Sequence, residues 1–458
     1  MRRVKPLFLL ATVLLAVAPA RAHIGSHEIT VRDGFFDPQE LRIDAGETVT
    51  WNALHGGHTI TADDGRFDFP GDRLTRQGDR FEWTFTQDET ISFHCQVHKG
   101  FMFGVIVVGE GSPPKPPSTD PPEVRTVPGT YPTIATAIDT APDDTIVEIA
   151  PGIYREQLTV DVPGLTLRGT GAAPDDVRLD GMSQNGIGVM IAAPHVTIED
   201  VAITRFTFAG VFADRAHRFT LERVLLDAND RYGLRAVGVS GATIRDSRAT
   251  SSKRAGISIE GCVACDVLVD RVLAVGNLAG IAATNAGGVV IRNSTFRGNG
   301  TGIALKTFPA TEAVPQRGAH VYGNLIEDNM LRPSVRPPVT DSLEIPTGTG
   351  VWISGGAQDI VQSNTIRGHI YNVAATGMTG PSIADRIVGN IVADARDADL
   401  AWDGIGADVC FAGNTRPDGG APSSAPTRAE ALYSCSLPVT IGIPYPVVTA
   451  TILRHAAI

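Results

Sequence analysis

Between residues 233 and 281 the chain runs through Gly233-Leu234, Ala242-Thr243-Ile244, Gly256-Ile257, Val267-Leu268-Val269 and Gly280-Ile281. A glycine followed by an apolar residue returns at a fixed interval, with a short apolar, β-branched run between each pair. Working outward, the same pair appears as Gly186-Ile187, Gly210-Val211 and Gly302-Ile303, so successive intervals are 24, 23, 23, 24 and 22 residues. Val196-Thr197-Ile198 and Val289-Val290-Ile291 extend the strand-like runs, and no helical stretch interrupts them. A period in the low twenties, built of short strands and Gly/Asn turns, predicts a solenoid of β-coils, each coil burying its apolar side against the next. The Leu-x-x-Leu-x-Leu-x-x-Asn frame of a leucine-rich repeat is absent.

Coils of a β-solenoid stack ~4.8 Å apart, so residues one period apart become neighbours. Aligning the strands puts Glu222, Arg245, Asp270 and Arg292 in one column and Asp200, Arg223, Asp246 and Arg271 in the next. Both alternate in sign, which favours this register over a slip by one coil. Asn277, Asn299 and Asn329 are expected as stacked turn residues, as are Asn324, Asn364 and Asn390. The repeat breaks between Lys306 and Gly348, where Gly302 to Gly350 spans two periods and contains the polar loop Met330 to Asp341. Lys306, Arg332, Arg336 and Asp341 are candidates to line a carbohydrate groove there; a solvated excursion is the other reading.

This repeat, with the opening segment Thr126-Val127-Pro128-Gly129-Thr130-Tyr131-Pro132-Thr133-Ile134-Ala135-Thr136-Ala137-Ile138 and then Asp144 to Tyr154, resembles the right-handed parallel β-helix proteins of the pectate-lyase-like class. The resemblance implies a short capping helix and a first coil in that opening segment. It also invites comparison with the Asp clusters of polysaccharide-cleaving relatives. Here the acids already have basic partners at repeat spacing, so a structural role is favoured, and no matched acid and base can be assigned.

Nearer the N-terminus, Glu28 to Gly109 reads as short runs of alternating apolar and polar residues: Glu28-Ile29-Thr30-Val31, Glu47 to Trp51, Arg80 to Phe85, Thr90 to His94 and Gly104 to Val108. Period-two alternation between Gly and Asp turns predicts a small β-sandwich. Cys95, His98 and Met102 fall within eight residues on a loop between two such runs, and His58 arrives from an earlier strand end. A soft thiolate, two imidazoles and a weak thioether are the ligand set of an electron-transfer copper centre, so copper at one mononuclear type 1 site is the expected cofactor. His94 alternates to the opposite strand face from Cys95 and is expected to pack. His55 rivals His58, although His58 has a threonine after it. His23 and His27 suggest a second copper site, against the favoured reading of a coincidental terminus.

Trp51, His58-Thr59, Asp63-Asp64-Gly65, Phe93-His94-Cys95-Gln96-Val97-His98 and Met102-Phe103-Gly104 occur in the order found in plastocyanin-like cupredoxins, which this segment resembles. The resemblance implies a blue-copper protein with Asn52 in the position that often steadies the thiolate. Two spacings depart from the family pattern: three residues separate His98 from Met102, and the Trp51 to His58 interval is one residue short.

The remaining four of the five cysteines suggest disulfides in an oxidising compartment. Cys410 and Cys435 bracket a Gly/Pro/Ser-rich loop, where a bridge would contribute ~3 kcal/mol by restricting the unfolded chain. Cys262 and Cys265 sit at a coil turn, where a local disulfide is preferred to a soft-metal site. Met1-Arg2-Arg3-Val4-Lys5, the apolar run Leu7 to Ala18 and Ala20-Arg21-Ala22 have the three parts of a secretory signal, residues 1–22, and nothing comparable follows to anchor the chain in a membrane. Its removal takes away Arg2, Arg3, Lys5 and Arg21 and moves the formal charge from −11 to −15, which argues against nucleic acid as a partner.

The expected organisation is therefore all-β: a signal (1–22), a cupredoxin sandwich (23–109), a proline-rich linker (110–123), a right-handed parallel β-helix solenoid (124–440) and a C-terminal tail (441–458). The expected function is one-electron transfer with a redox partner protein, or copper holding, in a secreted or periplasmic setting. The β-helix would serve as a recognition or scaffold surface for a polysaccharide or cell-envelope ligand. The alternatives are a lyase, hydrolase or epimerase acting on a glycan through the β-helix, and a copper-delivery factor.

Overall fold

The computed structural model describes residues 26–32, 35–38, 40–62, 65–71, 74–97, 102–109, 121–263, 265–308, 315–330, 345–436 and 447–451. The signal segment, most of the proline-rich linker, His98, and the loop residues Arg332, Arg336 and Asp341 lie outside the described residues.

The first domain is a two-sheet sandwich. Its strands are β1 (Ser26–Arg32), β2 (Phe35–Asp37), β3 (Glu40–Ile43), β4 (Thr48–Ala53), β5 (Ile60–Ala62), β6 (Asp68–Phe69), β7 (Arg80–Thr84), β8 (Glu89–His94) and β9 (Phe103–Val108). One sheet has the order β2-β1-β4-β7 and the other β3-β9-β8-β5-β6. The five strands with clear alternation in sequence are all present, each within two residues of its expected span. The four additional ones are two to four residues long, too short for period two to register. Alternation in β4 sends Val49, Trp51 and Ala53 inward. Trp51 meets Phe93 of β8 edge to face, with ring centroids 5.4 Å apart, and so ties the two sheets. Gly104 is needed where it stands, because a Cβ there would come within 2.3 Å of the Phe93 ring.

The second domain is a parallel β-solenoid with three faces. A sheet of 12 strands runs from Val124–Val127 to Cys410–Ala412, one of 10 from Gly152–Tyr154 to Ile391–Ala393, and one of 11 from Leu158–Val160 to Ser424–Ala425. The recurring glycines belong to the third sheet. A Cβ on Gly210, Gly233, Gly256, Gly280 or Gly302 would approach the carbonyl oxygen of the glycine one coil on to between 2.5 and 3.0 Å. Only a hydrogen fits there, so the sequence period is a packing requirement. The first member of this column is Gly188, whose Cβ would meet the Gly210 carbonyl at 2.6 Å, whereas Gly186 has open space around it. Gly186-Ile187 therefore matched the period while standing one pair out of register, since Ile187 pairs with Ala209 and Val189 with Val211.

The charged columns form as aligned: Glu222 pairs with Arg245, Arg245 with Asp270 and Asp270 with Arg292. Arg223 bonds Asp200 at 2.7 Å, Arg271 bonds Asp246 at 2.7 Å, and Arg245 reaches Glu222 at 2.5 Å. Asp200, Arg223, Asp246 and Arg271 all have left-handed backbones, φ 50° to 56°, because they make the one-residue corner between the first and second faces. Two asparagine ladders run inside the corners, that of Asn324 between the first and second faces and that of Asn277 between the second and third. Asn277 bonds Asn299 and Asn299 bonds Asn329; Asn324, Asn364, Asn390 and Asn414 follow the same rule, each side-chain oxygen accepting the N–H one coil below. Both ladders satisfy buried backbone groups that a turn would otherwise orphan.

The interval from Gly302 to Gly350 is one coil, not two. Thr301–Lys306 pairs directly with Thr349–Ser354, so the added length falls within a single coil. The ends are closed. Helix α1 (Ile134–Ile138), in the segment expected as the cap, has its first N–H groups bonded by Glu156, and the short helix α2 (Ala429–Leu432) brings Glu430, whose Oε1 accepts both the backbone and side-chain N–H of Asn414 at 3.0 and 2.8 Å. Among the described residues no helix is long and apolar enough to cross a membrane.

Candidate metal centre

The topology of the sandwich decides which donors meet. β8 runs antiparallel to both β5 and β9, with His94 paired to Thr61 on one side and Phe103 on the other. The start of β5, the end of β8 and the start of β9 therefore share one end of the sheet. His58, Cys95 and Met102 sit just beyond those ends and are buried, with 2%, 0% and 0% of their surface exposed. The Cys95 sulfur lies 4.0 Å from His58 Nδ1, and the Cys95 N–H donates to the Met102 carbonyl at 2.9 Å. His55 is exposed, so the structure places His58 rather than its rival at the sulfur. His94 stays half-buried on its strand, and His27 is bonded to Glu47 at 2.7 Å.

Two threonines hold this end in place. Thr59 donates its N–H to the Cys95 sulfur at 3.3 Å, and its hydroxyl accepts the N–H of Gln96 at 2.7 Å. Thr75 grips His58 from both sides: its hydroxyl accepts the His58 N–H at 3.0 Å, and its own N–H donates to the His58 carbonyl at 2.8 Å. Gly56 lets the loop close onto this contact, since a Cβ there would stand 2.8 Å from the Thr75 carbonyl. Asn52, expected near the sulfur, accepts from Arg80 across β4 and β7 instead. Thr59 carried a sequence signal as the residue after His58; Thr75 carried none, being a loop residue 17 positions away.

The donor chemistry and spacing fit a copper ion. His58 and Cys95 would hold the ion through an imidazole nitrogen and a sulfur that stand 4.0 Å apart, donors of the kind copper takes. The Thr59 N–H aimed at the sulfur fixes where the Cys95 side chain sits. Around the same end, Leu54, Leu74 and Val97 are 41%, 45% and 54% exposed, on the loops that carry His58, Thr75 and Cys95.

In the solenoid, Cys262–Cys265 and Cys410–Cys435 are disulfides, so the two vicinal sulfurs are bonded to one another and Cys95 is the cysteine outside a bridge. Lys306 is half-buried on the outer side of the third sheet, and desolvation pushes its pKa down to about 8. On the same side, a cluster with no periodic signature surrounds Arg235: its guanidinium lies 5.3 Å from the Tyr232 ring centre, 5.6 Å from Phe208 and 5.9 Å from Phe212, and pairs with both oxygens of Glu260.

Comparison with known proteins agrees with both halves. Residues 26–109 match the family of copper binding proteins, plastocyanin/azurin family, and residues 188–386 match the right handed beta helix region. Halocyanin of Natronomonas pharaonis is 33% identical over 94 residues, 18% of this chain and 58% of that protein, so the match spans less than two thirds of the relative. A purple cupredoxin from Nitrosopumilus maritimus is similar over 18% of this chain and 99% of its own, at 26% identity and TM-score 0.16. The A-module of an Azotobacter vinelandii mannuronan C-5 epimerase is similar over 62% of this chain and 87% of its own, at 15% identity and TM-score 0.49. By these matches residues 26–109 are a cupredoxin domain of the plastocyanin/azurin family of copper binding proteins, joined to a right-handed β-helix.

Proposed function

We propose that this is an exported electron-transfer protein in which His58, Cys95, His98 and Met102 hold one type 1 copper, and in which the β-helix is a recognition or scaffold surface. The observation that carries the reading is the pairing of a buried His58 Nδ1 with the Cys95 sulfur at 4.0 Å, on strand ends fixed by the Thr59 and Thr75 hydrogen bonds. Bound copper supplies a one-electron Cu(I)/Cu(II) couple. The protein's part is to keep the donors where they are in both states. Thr59 neutralises part of the thiolate charge, and Thr75 stops the imidazole backbone from following a change in bond length. Burial of the donors excludes water, while exposed Leu54, Leu74 and Val97 offer a redox partner an apolar landing area close to the site.

A second reading, turnover of a glycan on the β-helix, is favoured by the half-exposed rings of Phe208, Phe212 and Tyr232 around Arg235. The paired carboxylates of the charged columns argue against it as the main activity.

The test is the optical and electron-paramagnetic spectrum of the mature protein after Cu(II) addition, with Cys95→Ser alongside. An intense visible thiolate-to-copper band with narrow hyperfine splitting, lost in the variant, is the expected result. A colourless protein whose ordinary copper signal is the same in both would overturn the assignment. Glycan turnover that survives Cys95→Ser would favour the second reading.

A further inference from the structure

One interior column of the solenoid changes character near its end. The residue preceding each strand of the first sheet faces the core and is apolar in Leu165, Val196, Phe219, Val267, Val289 and Ala319. In the next two coils the same position is Asp359 and then Asp385, after which it is Val409. Both aspartates have none of their surface exposed. Each uses one oxygen as an asparagine of the ladders would: Asp359 Oδ1 accepts the Ala319 N–H at 2.7 Å, and Asp385 Oδ1 accepts the Asp359 N–H at 3.0 Å. An asparagine would spend its other atom as a donor. Here the second oxygens, Asp359 Oδ2 and Asp385 Oδ2, are buried without a hydrogen-bond partner among the described residues.

Two adjacent buried carboxylates with no compensating cation cannot both be charged at modest cost. The groups packed around them supply none. Gln316 lies below at 3.5 Å and is neutral, Ser382 offers Asp385 only an uncharged hydroxyl, and the arginines nearest in sequence, Arg317 and Arg386, are exposed. Asp403 is buried on the neighbouring strand end but is held by the N–H groups of Gly377 and Ile405 and the hydroxyl of Thr449, while Asp408 is exposed.

We propose that Asp359 and Asp385 share a proton inside the solenoid and that this proton is the latch holding its last coils closed. The proton gives an otherwise unpartnered oxygen a hydrogen to donate and leaves the pair at a single negative charge, which two backbone N–H groups face. Burial followed by the charge of Asp385 drives the Asp359 carboxyl well above its ordinary range, and burial pushes Asp385 up to about 7. Because the folded form holds a proton that the unfolded chain releases above about pH 4, the contribution is complete below that pH. It declines as pH rises, and is lost as pH passes upward through the raised range of the pair. The coil beyond is joined to this one through the Cys410 N–H, which donates to the Asp385 carbonyl at 2.9 Å, so opening is felt where the Cys410–Cys435 bridge begins.

The test is amide hydrogen exchange of residues 385–412 in the mature full chain, compared at each pH with Asp385→Asn, whose amide reproduces the ladder chemistry of Asn364. The expected result is that the opening constant of the parent, divided by that of the variant, rises up to about tenfold per pH unit between pH 5 and 7, and that EDTA changes neither. Parallel pH profiles would overturn the proposal. So would a parent whose protection at pH 8 is restored by calcium and removed by EDTA, since a metal ion would then be the occupant. If the variant does not fold, infrared spectra of the parent decide: a protonated-carboxyl band persisting at pH 6 and lost on further raising the pH supports the shared proton, and its absence at pH 6 refutes it.

Discussion

The backbone N–H of Thr59 points at the sulfur of Cys95 from 3.3 Å, across a separation of 36 residues. The same residue closes the loop from the other side by accepting the Gln96 N–H. One threonine thus holds both the sulfur and the loop that carries it.

Thr59→Val keeps the N–H and removes the hydroxyl. The Gln96 N–H then loses its acceptor, which costs about 1–3 kcal/mol. Urea unfolding of the metal-free protein should show a lowered midpoint for the sandwich, while the copper-bound variant keeps its visible band because the sulfur contact survives.

Copper is expected to stabilise the sandwich and leave the β-helix alone. At a hundredfold excess over the dissociation constant the gain is about 2.7 kcal/mol. In calorimetry only the sandwich transition should move up on adding metal, and it should move far less in Cys95→Ser. A shift confined to the β-helix transition would place the metal elsewhere.

Two glycine variants separate packing from periodicity. In Gly256→Ala the new methyl would meet the Gly280 carbonyl at 2.9 Å, Asn277 Nδ2 at 3.0 Å and Ala249 Cβ at 3.1 Å. Such overpacking costs about 1–3 kcal/mol. Gly186→Ala meets nothing within 4 Å and should change stability by less than about 0.5 kcal/mol. Equal denaturation midpoints for the two would contradict the stacking.

Acid should act on the charged columns in the sense opposite to the buried aspartate pair. Burial alone would raise the Asp270 carboxyl, but hydrogen bonds from Asn293 and Arg292, with the Arg292 and Arg271 charges, hold it below its ordinary value. The unfolded chain therefore takes up a proton first, at about pH 4, and stability falls as pH drops below that. Asp270→Asn should flatten this acid limb, measured by thermal unfolding between pH 5 and 2.5, and leave the limb above pH 6 unchanged.

Cys95, Met102 and His58 could be singled out in the sequence because a metal site needs particular elements at short spacing, and the solenoid could be read because each coil repeats the same steric demand. The ion-pair columns followed once the period was known. Less was legible where a contact depends on three-dimensional neighbours alone. Thr75 reaches His58 through loop closure, which leaves no period. Gly186 fits the interval as well as Gly188 does, and only the pairing of Ile187 with Ala209 tells them apart. The interval before Gly350 reads as two periods because length alone does not count coils. Asp359 and Asp385 sit at apolar positions of the pattern, and their burial is visible only after the coils are stacked.

The carboxylate of Glu430 meets the topmost rung at Asn414, taking both N–H groups that the ladder would offer to a further coil. Every rung below ends in that same pair of donors, so an uncovered rung is a template on which another chain of the same kind could continue the stack. A single carboxylate oxygen thus closes the ladder at its last rung, where a further coil would otherwise have to supply the acceptor.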